Sequence, residues 1–233
     1  MSERRVLEER MERLGTIFLE VDELIHEEIP SGYFIMITGP PGIGKGIFAA
    51  QYAHRGIVLK ESVVYFVTDS HPSEVRRIMK RYGWDPTPHE EKGTFRFIDC
   101  YSWRHPSPAK ERYSITDPSN LTDVTIEINR AIRGLEKPAR IILDSFSSVA
   151  QMVPPPTAIR FLQEVDGTVR MNDYNGLYVV EEGMHDSLTT ATIRAQADGI
   201  FEVKIVEEEN RLKRYFRIFA IKGVQCDTRW VPW

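Results

Sequence analysis

The stretch Gly39-Pro40-Pro41-Gly42-Ile43-Gly44-Lys45-Gly46 decides the fold. It follows the pattern GxxxxGK, a loop whose backbone N–H groups and lysine hold the phosphates of a nucleotide. The apolar run Tyr33-Phe34-Ile35-Met36-Ile37 leads into it as a buried strand, and Ile47 to Gly56 follows as a helix that stops at a glycine. That helix turns its N-terminus, with its partial positive charge and free N–H donors, toward the loop. Gly39 and Gly44 allow turns and close approaches that a Cβ would block, Pro40-Pro41 stiffens the loop, and Lys45 supplies the cation. The expected nucleotide contacts are Gly39, Pro41, Gly42, Ile43, Gly44, Lys45, Gly46 and Ile47. One position departs from the pattern: Gly46 stands where a Ser or Thr hydroxyl would ligate Mg²⁺. The loop thus predicts phosphate binding more strongly than hydrolysis.

Working outward, Val63–Val67, Phe95–Ile98, Arg140–Asp144 and Leu177–Val180 read as buried strands. Helices are expected over 72–82, 121–135 and 157–171, with Asp99–Asn120 as the least regular segment. Alternating strands and helices predict an α/β fold around a mostly parallel sheet. Gly199–Val206 and Arg214–Ile221, joined by the polar Glu207–Asn210, read as a hairpin that adds an antiparallel edge. Residues 1–14 are charged, with Leu7, Met11 and Leu14 at helical spacing; they predict a short amphipathic helix lying on residues 15–233 or on a neighbouring subunit. Arg76, Arg77, Lys80 and Arg81 give one helix a basic face, expected to be solvated.

The chain has 233 residues, 42% hydrophobic and 27% charged, values that exclude wholesale disorder. A net charge of −4 argues against a general affinity for nucleic acid. The two cysteines, Cys100 and Cys226, lack CxxC spacing and read as reduced thiols. No apolar run has transmembrane length and the N-terminus has no signal-peptide core, so a cytoplasmic protein without membrane contact is expected. Asp144, ending an apolar strand about a hundred residues after the loop, is the candidate Mg²⁺ ligand.

Several co-ordered motifs resemble the KaiC-like branch of the RecA superfamily, especially its small single-domain archaeal members, from about residue 13 to 230. They are Asp22-Glu23-Leu24 with Ile29-Pro30-Ser31-Gly32, the glycine loop, Phe66 to Pro72 with Tyr82-Gly83-Trp84-Asp85, Ile141 to Ser145, and Ala197 to Ile200 with Ile221-Lys222-Gly223. The resemblance implies a RecA-type core, ATP or ADP as ligand with weakly held Mg²⁺, and a homo-oligomer with nucleotide between subunits. It also exposes departures. The family's paired glutamates, which activate water, align with Asp69 and Ser70. Its trans-acting Lys and Arg align with Ala220 and Lys222, leaving Lys222 as the one expected phosphate contact to a neighbour. Glu181-Glu182 replaces a small polar residue near the γ-phosphate, where an acid would repel it unless a cation intervened.

These losses fall on the hydrolysis machinery and spare the phosphate cradle. They predict an ATP- or ADP-binding protein with weak or absent hydrolysis and a regulatory or assembly role, with a possible protein partner such as the archaellum's KaiC-like component has. The alternatives are an active ATPase using Asp69, Glu181 or Glu182 as base, or a RadA-paralogue-like DNA-binding accessory. The latter is disfavoured because Gly183–Asp198 offers one arginine, Arg194. Ser187, Thr189, Thr190 and Thr192 resemble a phosphoacceptor run, but their register is wrong and they read as a polar loop.

Overall fold

The computed structural model describes residues 19–104 and 111–233. The expected helix over 1–14 lies outside them. The described chain builds one nine-stranded sheet in the order β4-β3-β2-β5-β6-β1-β7-β8-β9. The strands are β1 Phe34–Gly39, β2 Ser62–Val67, β3 Phe95–Asp99, β4 Tyr113–Ser114, β5 Ala139–Asp144, β6 Asn175–Glu181, β7 Gly199–Glu208, β8 Arg211–Ile221 and β9 Val231–Pro232. The pairs from β4 to β7 are parallel, while β7–β8 and β8–β9 are antiparallel. The mostly parallel sheet and the antiparallel hairpin are therefore as the sequence predicts. Glu209 and Asn210, both with positive φ (53° and 59°), make the hairpin turn.

Strand residues alternate between two cores because successive side chains point to opposite faces. On one face Phe34, Met36, Phe66, Ile141 and Tyr178 pack under the helices Leu121–Ile132, Pro155–Met171 and Ser187–Gln196. On the other, Ile35, Ile37, Tyr65, Ile142 and Val179 pack with Phe48, Phe201 and Phe216 under the helix Lys45–Val58. With helices on both faces, the central strands are buried throughout and read as continuous apolar runs. Each fully buried large side chain stabilises the fold by roughly 1.5–3 kcal/mol.

Two expectations need correction. The Ser/Thr cluster 187–192 is not a loop but the first turns of the helix Ser187–Gln196, whose start is capped by Asp186 accepting from Thr189 N (2.9 Å). The basic face of the helix Pro72–Arg81 is not uniformly solvated: Arg76 bonds Glu90 and Glu111 and lies 4.5 Å over the Phe97 ring, whereas Arg77, Lys80 and Arg81 are exposed. Cys100 is buried and Cys226 partly so; burial pushes the Cys100 thiol up to about 12, as befits a packing residue. Among the described residues no helix is long and apolar enough to cross a membrane.

Candidate nucleotide site

Loops leaving the C-terminal ends of β1, β2, β5 and β6 converge on one edge of the sheet, where open α/β sheets carry their ligands. The loop after β1 turns through Gly42 (φ 75°) and Gly44 (φ 113°), left-handed conformations that favour glycine. Gly39 is required for another reason: a Cβ there would come within 2.4 Å of Val203 O. The helix Lys45–Val58 starts directly after Gly44, so the amides of its first turn face the loop rather than a preceding helical carbonyl.

Lys45 is buried, and its ammonium is fixed by three acceptors. It donates to Gly39 O at 2.8 Å, Pro40 O at 2.7 Å and Glu181 Oε2 at 2.8 Å. Motif spacing does not reveal that an acid 136 residues away pairs with the loop lysine. The acid at position 181, expected to repel phosphate, is held by this cation. Its own backbone N–H donates to Ser147 Oγ (2.9 Å), which lies 2.8 Å from His185 Nε2. Glu182 is exposed, and its amide donates to Gly39 O at 3.0 Å.

Asp144 ends β5 beside the loop. Tyr65, fully buried, donates its hydroxyl to Asp144 Oδ2 at 2.8 Å. Burial pushes the Asp144 carboxyl up to about 6; the Tyr65 hydroxyl opposes this, the Asp69 and Glu181 carboxylates add to it, and Lys45 opposes it. A Cβ on Gly46 would stand 3.4 Å from the same Oδ2. A hydroxyl-bearing residue at 46 would thus sit beside Asp144, the arrangement that shares a cation with phosphate. Asp69 is exposed and accepts from Ser145 Oγ (2.9 Å) and Ser148 Oγ. Lys45, Gly46, Asp69, Asp144 and Glu181 therefore share one edge.

Lys222 does not join them. The pairing of Ile221 with Gly199, and of Gly199 with Ile35, places it at the opposite end of β1. There its ammonium lies 3.3 Å from Asp198 Oδ1, and Asp198 also bonds Phe34 N (3.1 Å) and Arg170 (2.5 Å). Within one chain it cannot reach the loop.

A parallel sheet with a glycine loop after β1, a buried loop lysine and an acid at the end of β5, one strand removed from β1, defines the P-loop class of nucleotide-binding proteins. Residues 14–233 match the family described as "ATPase: KaiC", and the chain belongs to that family. It is similar to the UPF0273 protein PH0284 of Pyrococcus horikoshii, with 26% identity over 222 residues covering 94% of this chain and 89% of that protein. The UPF0273 protein MJ1359 of Methanocaldococcus jannaschii is 27% identical over 219 residues, covering 91% and 88%. The crystal structure of the KaiC-like protein PH0186 of Pyrococcus horikoshii has the same fold, with TM-score 0.74, 21% identity and coverage of 94% and 92%.

Proposed function

We propose that the chain is a cytoplasmic ATP- or ADP-binding protein that turns ATP over weakly or not at all, and that it acts in a regulatory or assembly role as a homo-oligomer. The observation that carries this reading is the state of the edge: the anion cradle is preformed around Lys45, while position 46 brings no hydroxyl to Asp144. The backbone amides at Gly42–Gly46 and the Lys45 ammonium bind and orient the phosphates. Glu181 must yield Lys45 to them, so entry of phosphate exchanges one anionic partner for another.

Magnesium fits as a weakly held ion. Asp144 is the protein donor, the metal would neutralise phosphate charge, and the hydroxyl that normally completes the protein's share is missing. A missing charge-stabilising contact costs roughly 10²–10³ in rate. Lys222, at the far end of the sheet, supports a contact to phosphate only on a neighbouring copy, with a partner for it in Asp198 while unassembled. Turnover at background level in a protein that binds ATP is the expected assay result; brisk hydrolysis that disappears in Lys45→Ala would overturn the proposal.

One observation favours the second reading, an active ATPase. Asp69 is exposed on the same edge and pinned by two serine hydroxyls, as a general base needs to be. Loss of all residual hydrolysis in Asp69→Asn would favour it.

A further inference from the structure

Trp233 lies on the rim of the phosphate loop. Its Cη2 would be 3.4 Å from a Cβ on Gly44, so the indole rests against the left-handed glycine that starts the loop helix. Three contacts fix it. Its backbone N–H donates to Arg214 O (2.9 Å), β9 just before it pairs with Tyr215 and Phe216, and its ring meets the Phe48 ring edge-on at 6.3 Å. Phe48 is itself held by stacking on Phe216 at 5.6 Å. The indole is thus anchored, yet 36% of its surface stays open. Ile47, in the first turn of the loop helix, is equally exposed, so two apolar side chains flank a site otherwise built for anions.

We propose that Trp233 is the stacking platform for the purine base of the bound nucleotide, with Ile47 as an accessory apolar contact. The inference rests on the nucleotide-binding reading of the loop and adds the residue that reads the base. A base is tethered by its ribose to the phosphate chain, so it must settle on the rim of the cradle. There an anchored indole offers a flat π surface at little entropic cost. Every base has such a face, and purines, with the larger one, gain most. The loop itself, with glycines at 39, 42, 44 and 46, offers no flat side chain to a base. Apolar packing on Phe48 alone would explain the buried part of the indole but not the third left open beside the anion site.

The test is calorimetry of ATP, CTP and inorganic triphosphate on the intact chain and on Trp233→Ala, Trp233→Leu and Trp233→Phe. The Ala and Leu variants should bind ATP about tenfold more weakly, the Phe variant within about threefold of the parent, and ATP's advantage over CTP should shrink with the ring. Inorganic triphosphate should bind all four proteins within about twofold, because it has no base to stack. Unchanged ATP affinity in the Ala and Leu variants would remove the platform and leave the nucleotide reading standing. A parallel fall for triphosphate would assign the indole to packing of the loop and overturn the proposal. If the parent bound neither ATP nor triphosphate, the reading of the loop and the platform would fall together.

Discussion

Lys45 Nζ stands 2.8 Å from Glu181 Oε2, with the ammonium buried and the carboxylate 20% exposed at the surface of the cradle. The pair joins the loop after β1 to the end of β6. It offsets the charge of a buried ammonium whose other two partners, Gly39 O and Pro40 O, are neutral. The consequences for binding are direct.

Removing the competing charge should tighten binding. In Glu181→Gln the ammonium keeps Gly39 O and Pro40 O and loses its anionic partner. ATP affinity, measured by calorimetry, is expected to rise about tenfold, since a hydrogen bond to a charged group contributes roughly 1.5–3 kcal/mol. A fall in affinity would mean that Glu181 orients Lys45 rather than competing for it.

Lys45→Ala removes the cation and leaves Glu181 without its partner. ATP and ADP affinity should drop by about a hundredfold or more, and the thermal midpoint should fall as the stranded carboxylate loses its counter-charge. Full retention of ATP binding would place the nucleotide elsewhere.

Gly46→Thr restores a hydroxyl beside Asp144 Oδ2. The 3.4 Å approach of the new Cβ is ordinary contact, and threonine, itself a modest helix former, recovers only part of the roughly 0.8–1.0 kcal/mol that glycine costs a helix relative to alanine. ATP should bind more tightly in Mg²⁺ than in EDTA, by a larger ratio than in the parent. An unaltered ratio would show that position 46 does not face the metal.

The Asp144 carboxyl carries a pH signature in the metal-free protein. Its folded value of about 6 lies above the ordinary aspartate value of 3.8, so the folded state binds more protons in between and stability falls as pH rises from about 4 to about 6. The groups facing it are Tyr65, Asp69, Glu181 and Lys45. Denaturant unfolding should lose on the order of 2–3 kcal/mol across that window, and Asp144→Asn should remove this part of the slope. A parent and variant with identical pH profiles would contradict the assignment.

Much of this was legible in the residues. Phe34–Gly39, Ser62–Val67 and Ala139–Asp144 are apolar runs because both faces of the sheet are covered, and short buried runs bounded by glycine or acid announce themselves. The vacancy of a hydroxyl at Gly46 beside Asp144 was readable from motif spacing alone. The helix Ser187–Gln196 was not, because its Thr-rich composition imitates a loop. The one available signal was Asp186 three residues before Thr189, an N-cap spacing. The Lys45–Glu181 pair and the Tyr65 hydrogen bond to Asp144 join residues 136 and 79 positions apart, brought together only by the order of strands in the sheet. Trp233 was invisible for the same reason: its contact with Gly44 depends on β9 pairing with β8.

Calorimetric titration of the unmodified chain with ATP and with ADP, in Mg²⁺, tests the central claim most directly. A saturable heat from one site per chain, abolished by Lys45→Ala, is the predicted result. No heat at millimolar concentrations of either nucleotide would contradict it.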